Sequence, residues 1–241
     1  MNRLSVETRG ISNWRERLAK PDSQWKRGYS ALEAAVSWEN AGRQPAGLPT
    51  PIGDLFRGSI FGEATLLLAI AEHKVPLVGG TADSQCDVWA LLNTVAGGLS
   101  LSVEAKANET FGQGNESLQD WLISGGSERS RRNRKNRWEH ISAHLPSMAS
   151  GAYSLVPYQL LHRCAAAVIE AKRFRLPSAA FIVQAFGAPD ESLEAFGMLC
   201  QVMSVDVKRG QMQVTSVDGI RLGVGWVDCP FATDAEVAGV A

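Results

Sequence analysis

The sequence is short of several features, and each shortage removes a class of protein. Only four cysteines are present, Cys86, Cys164, Cys200 and Cys229, far apart and in no CxxC pair. That spacing argues against a zinc knuckle and against a secreted disulfide framework. The four read instead as reduced, mostly buried thiols. An excess of charge is also missing: the formal net charge is -1, with 20% charged residues. Any contact with nucleic acid must therefore come from a local basic patch. The longest apolar run, Ala64 to Ala71, is interrupted by Thr65. It falls far below the ~20 residues that span a bilayer, so no membrane association is expected. Met1 to Arg9 contain no apolar stretch of the signal-peptide kind, and the cytoplasm is the expected compartment. There is no GxGxxG, P-loop, GxSxG or HExxH pattern, against dinucleotide binding, P-loop chemistry, an α/β-hydrolase and a zincin. His140 and His144 have i, i+4 spacing, but with no third ligand nearby zinc is not expected.

What remains is ordinary globular material. The 241 residues, 45% hydrophobic, can bury a core without disulfides or metals. The expected division is an N-terminal helical and polar extension, 1–50, packed on a single α/β domain, 51–241. Tyr29 to Glu39 has helical spacing, with Leu32, Ala35 and Val36 on one stripe. Gln44 to Pro51, with three prolines, reads as a linker. Ala64, Leu67, Leu68 and Ala71 recur at i, i+3, i+4, i+7, which predicts a helix over 63–74.

Cys86 to Asn93 and Leu99 to Ala107 read as two strands of a hairpin around Ala96-Gly97-Gly98. The second alternates strictly, Leu99, Leu101, Val103 and Ala105 against Ser100, Ser102, Glu104 and Lys106. A short helix is expected near Leu118–Leu122. The basic stretch Arg129–Arg137 leads into another that runs to Leu145. Pro157 heads a long alanine-rich helix, Tyr158 to about Phe174. Ala179 to Phe186 is apolar except for Gln184 and reads as a strand buried on both faces. A helix over Glu191–Met203 follows, then two or three strands in Asp206–Trp226. The expected fold is α/β, a mixed central sheet with a β-hairpin, flanked by helices.

A turn centred between Ala96 and Gly97 sets Asp87 opposite Lys106, with Glu104 two residues away on the same face. Two carboxylates and an ammonium then converge at one end of the hairpin. Two hard oxygen ligands can hold Mg²⁺ and leave room for water and a phosphate oxygen. A lysine beside them can position or help deprotonate the attacking water.

Asp87 followed by Glu104-Ala105-Lys106 resembles the PD-(D/E)xK superfamily, the restriction-endonuclease-like fold. The order helix, hairpin, helix, strand is similar to that family's αβββαβ core. The resemblance covers roughly 63–186 and implies a Mg²⁺-dependent nuclease. It implies Asp87 and Glu104 as metal ligands and Lys106 as the residue that assists water. Glu72 matches an acidic residue that many members carry on the preceding helix, and Gln159 a glutamine on the following one. Cys86 stands where the motif has proline. The chain is also similar to an uncharacterised bacterial domain family with the same hairpin and the segment Tyr158-Gln-Leu-Leu-His-Arg163.

Competing readings stand beside these. Glu104 and Lys106 also suit the wet face of an antiparallel strand. Gln159, His162 and Arg163 also suit a polar helix face. Arg131, Arg132 and Arg134 could neutralise phosphates or simply be solvated. The alternative function is a catalytically silent nuclease-like fold that serves as a binding or accessory module. An oligomer is compatible with either reading.

Overall fold

The computed structural model describes residues 10–112 and 116–240. The helices are α1 (Ser12–Arg15), α2 (Pro21–Gln24), α3 (Ser30–Ala41), α4 (Thr50–Arg57), α5 (Leu118–Ile123), α6 (Glu128–Ser142), α7 (Tyr158–Arg173), α8 (Asp190–Val202) and α9 (Asp234–Val240). The strands are β1 (Ala64–Val75), β2 (Ser84–Thr94), β3 (Gly97–Lys106), β4 (Ser178–Ala185), β5 (Met212–Val217) and β6 (Ile220–Asp228). They form one six-stranded sheet in the order β1-β2-β3-β4-β6-β5. β1, β2 and β3 make an antiparallel meander. β4 lies parallel to β3 and β6, and β5 closes the far edge antiparallel to β6. The architecture is α/β, with a mixed sheet and helices on both faces.

Two cores follow from this layering. On one face α3 and α4 cover Val88, Ala90, Leu99, Leu101, Val103 and Ile182. On the other, α7 and α8 cover Phe181, Val183, Leu222, Val224 and Trp226. β4 is buried along its whole length, as its apolar run requires. The polar side chain within its apolar run is satisfied: Gln184 Oε1 accepts from Trp38 Nε1 at 3.1 Å, and its Nε2 donates to Ser37 Oγ at 3.0 Å. Gly225 on β6 is fixed by packing, since a Cβ there would stand 2.6 Å from Leu55 Cδ2 of α4.

Several expectations fail for identifiable reasons. The helix expected over 63–74 is instead strand β1, Ala64–Val75. A bulge between Leu66 and Leu68 moves the alternation by one place. Buried Leu66 is thereby followed by buried Ala69, a three-residue step that copies helical spacing, while Leu67 between them is 51% exposed. Pairing with β2 overrides the helix propensity of a Leu/Ala-rich segment. The proline-rich stretch does not exclude a helix: Pro51 sits in the first turn of α4, where a missing N–H costs nothing. The basic run 129–137 does not precede a helix but lies inside α6. Helix α9 was not expected from the sequence. The hairpin turn is Val95-Ala96, closed by Thr94↔Gly97, one residue earlier than expected.

Candidate active site

The earlier turn changes the partners but keeps the convergence. The β2–β3 ladder runs as far as Val88↔Val103. Extended by one place beyond that last pair, this register aligns Asp87 with Glu104 instead of Lys106. Asp87 caps the ladder with its side chain, and Oδ2 accepts the backbone N–H of Ala105 at 2.7 Å. On the other side of β2, the β1–β2 pairing skips the Glu72–Asp87 rung. Glu72 takes φ +53° there, a left-handed conformation rare for a residue with a Cβ. The strands change facing across this kink: Ala71 and Val88 belong to the α3 core, whereas Val75 and Cys86 join the opposite cluster. Glu72 is therefore on a strand, not on a helix, and the kink brings it into the same cavity as Asp87.

That cavity has a volume of about 380 Å³. Glu72, Asp87, Glu104 and Lys106 line it, together with Gln159 and Arg163 from α7. Glu104 and Lys106 are 2% and 5% exposed. Their strand has no wet face, because α7 packs over the polar side that alternation suggested. Glu104 accepts from both sides. Lys106 Nζ lies 3.0 Å from Oε1, and Arg163 Nε lies 2.6 Å from Oε2. Gln159 Nε2 also donates to Oε1. Arg163 reaches Ser84 Oγ at 3.3 Å, and Ser84 Oγ lies 2.8 Å from His162 Nδ1. Gln85 Nε2 donates to Glu72 Oε2 at 2.6 Å.

Charge in the cavity is unbalanced. Four carboxyls, the three of Glu72, Asp87 and Glu104 and the exposed one of Glu109, share the cavity lining with two cations, Lys106 and Arg163, and burial penalises every unpaired charge among the first three. Burial pushes the Glu72 carboxyl up from 4.5 to about 7, despite its bond from Gln85 and the nearby Arg163. Burial, then Glu104 and Glu72, push Asp87 well above the usual carboxylate range. Burial acts on Glu104 too, but Lys106 and Arg163 outweigh it and hold Glu104 below its ordinary value. Burial works against the Lys106 ammonium, and Glu104 and Asp87 more than compensate, so Lys106 stays a cation. As an ammonium, Lys106 donates hydrogen bonds and positive charge to Glu104. His162 is driven well below 6.5 by burial and then by Arg163 and Arg137, which makes it a neutral support for Ser84.

Two groups here could contribute to a hard divalent cation. Asp87 has one carboxylate oxygen beyond the bond to Ala105, and Gln159 Oε1 is buried with no hydrogen-bond partner among the described residues. Among those residues no group of three His, Cys, Asp or Glu side chains forms a ready metal cage. Mg²⁺ does not need one, because it is usually bound by one or two carboxylates with water and phosphate completing its shell.

Of the residues picked from sequence, the structure brings Asp87, Glu104, Lys106, Glu72 and Gln159 into one cavity. Arg163, which the sequence assigns to a polar helix face, is the closest cation to Glu104. Its signal was the i, i+4 spacing from Gln159, which puts both on one face of α7. The arginines of α6 are elsewhere. Arg131 Nη1 donates to Gly126 O at 2.9 Å, and Arg134 Nη2 donates to Ser124 O at 2.6 Å. These two tie α6 to the loop after α5, Arg132 is exposed, and none of the three is among the cavity's described lining residues.

A family model described as a domain of unknown function, DUF6946, matches residues 7–230. The chain belongs to that family. The matched segment contains both faces of the sheet and every residue of the cavity. No curated protein and no solved structure matches the chain. Among the described residues no helix is long and apolar enough to cross a membrane.

Proposed function

We propose that this DUF6946 chain is a Mg²⁺-dependent nuclease, a phosphodiesterase of the PD-(D/E)xK type acting on DNA or RNA. The observation that carries the reading is the convergence of Glu72, Asp87, Glu104, Lys106 and Gln159 in one cavity at the end of β2 and β3. The element order supports it: with α4 inserted before β1 and α5 and α6 inserted after β3, the chain runs α3-β1-β2-β3-α7-β4, a helix, three antiparallel strands, a helix and a parallel strand, as in the αβββαβ order of that superfamily.

Asp87 and Glu104 would hold the ion, and Glu72 adds negative charge beside them. Bound there, Mg²⁺ supplies an acidified water and neutralises charge on the phosphate. The chain's own residues do the rest. Lys106, held as an ammonium by Glu104 and Asp87, faces the charge that builds on the phosphoryl oxygens. Gln159, anchored to Glu104 through Nε2, offers Oε1 to orient a water. Arg163 keeps Glu104 in place. Hydrolysis joins the water oxygen to phosphorus and breaks one P–O ester bond, and the departing oxygen takes a proton.

The test is cleavage of single- and double-stranded DNA and RNA with and without Mg²⁺, for wild type, Asp87→Asn and Lys106→Met. Metal-dependent products that both substitutions abolish support the reading; wild type that leaves all four substrates intact sinks it. One observation favours the second reading, a silent binding or accessory module: both Glu104 oxygens are already engaged by Lys106, Gln159 and Arg163.

A further inference from the structure

The groups at the floor of the cavity are its least accessible. Glu104 and Lys106 are 2% and 5% exposed, so a phosphodiester must descend to reach them. The N-terminal segment contributes Leu18, Ala19, Gln24, Tyr29 and Ser30 to the lining. Ser30 Oγ also donates to Oε1 of Glu109, a further lining residue. The volume of about 380 Å³ falls at the lower end of small-molecule sites, ~300–1,000 Å³. It suits about one nucleotide. A duplex carries its phosphates on a stiff rod that bends only over ~50 nm, and such a rod cannot follow a strand into a pocket of this size. A chemical step on a buried group requires the nucleotide to leave the stack.

The rim carries what an unstacked nucleotide needs. Tyr29 lines the cavity and is 47% exposed, although most large apolar rings in this fold are buried. Lys26 Nζ lies 5.9 Å from the centre of its ring. An aromatic face beside a cation is the pairing that holds a base and its phosphate in single-strand sites.

We infer that the substrate is single-stranded nucleic acid, or a frayed chain end, held by a base stacked on Tyr29 with Lys26 at the adjoining phosphate. This rests on the nuclease reading and adds the substrate class. DNA and RNA share the chemistry invoked.

The experiment is fluorescence anisotropy with a labelled eight-nucleotide single strand, as DNA and as RNA, and a blunt hairpin duplex. Ca²⁺ replaces Mg²⁺ so that binding is read without turnover. The expected result is at least tenfold tighter binding of a single strand than of the duplex. Tyr29→Ala should weaken single-strand binding by about 5- to 150-fold, the range for loss of one stacked base. Tyr29→Phe, which keeps the ring, should bind as wild type. Equal or tighter binding of the duplex, or unchanged binding in Tyr29→Ala, overturns the inference. A parallel assay in Mg²⁺ separates the two claims. Cutting of covalently closed duplex as fast as of single strands leaves the nuclease reading intact and overturns this one. Single-strand binding that depends on Tyr29, without cleavage of any substrate, overturns catalysis and supports the binding mode.

Discussion

Replacing Glu72 by glutamine should make the protein more stable at alkaline pH, an unusual outcome for a change inside a candidate active site. The glutamine side chain can still accept the bond that Gln85 Nε2 gives to Glu72 Oε2 at 2.6 Å. What it loses is the charge. Burial raises the Glu72 carboxyl from 4.5 to about 7, and one pKa step is worth about 1.4 kcal/mol. The upper bound on what its ionisation costs the fold is therefore about 3 kcal/mol. The sign follows from linkage. Between these two values the folded state binds more protons than the unfolded chain, so stability falls as pH rises. This contribution is fully present below 4.5 and lost once the pH has passed about 7. Wild type and Glu72→Gln should have similar unfolding free energies at pH 4.5, and the variant should lead at pH 8, by up to about 3 kcal/mol. Asp87 is raised partly by Glu72, so the variant also lets Asp87 ionise at lower pH. Urea titrations at pH 4.5, 6 and 8, without divalent ions, give the difference directly. A gap between the two proteins that is the same at all three pH values would refute the picture of a costly buried carboxylate. Mg²⁺ adds a second arm. At tenfold its dissociation constant a ligand of the folded state adds about 1.4 kcal/mol, and wild type at pH 8 should gain more than the variant.

Lys106→Met keeps the length of the side chain and removes the ammonium that lies 3.0 Å from Glu104 Oε1; cleavage should vanish, while Arg163 still pairs Glu104 and limits the stability loss to about 1–3 kcal/mol in a thermal melt. A variant that cleaves at the wild-type rate would remove Lys106 from the chemistry. Replacing Arg131, Arg132 and Arg134 by alanine breaks the bonds to Gly126 and Ser124, but water reaches these carbonyls, so a cost of no more than about 1 kcal/mol is expected. If these arginines also bind phosphates, the slope of log affinity against log salt should flatten by about one for each phosphate no longer neutralised; an unchanged slope assigns them to holding the loop. Gly225→Val forces Leu55 out of its seat on β6 and should cost about 1–3 kcal/mol by overpacking, read as a lower urea midpoint with an unchanged m-value.

Elements whose sequences carry two agreeing signals were legible. The long helix after Pro157 has both a start signal and an uninterrupted apolar stripe, and it runs over Tyr158–Arg173 as expected. The strand over 179–186 has length, apolarity and flanking breaks in its favour. β1 has only one signal, an apolar run, and a bulge makes its burial spacing ambiguous. The triad Asp87, Glu104 and Lys106 was legible because a tight turn leaves few registers, and the actual one, shifted by one residue, still joins them in one cavity. The burial of Lys106 was not legible. Alternation predicts which side chains share a face, but whether α7 covers that face is decided by residues about 50 positions away.

A buried carboxylate need not mean chemistry, and this chain contains its own control. Glu33 on α3 is as buried as Glu104. Its Oε1 accepts the N–H of Gly28 at 2.9 Å and its Oε2 the N–H of Ala232 at 2.7 Å. Backbone amides satisfy it, and it ties the C-terminal segment to α3, a structural task completed within the chain. The cavity at the end of β3 is built differently. It gathers three buried or half-buried carboxyls, with the exposed Glu109 beside them, against two cations, leaves Gln159 Oε1 buried without a partner among the described residues, and holds Glu72 in a left-handed backbone. Each feature costs free energy, and apolar side chains of similar volume would be neutral or stabilising in their place. Strain and unpaired polarity in one spot are what a site looks like before its ligand arrives. On the proposed nuclease reading a cation would supply what this spot lacks: it would let Asp87 and Glu72, both pushed up by burial, ionise, and a phosphate carried with it would give Lys106 an anion to face.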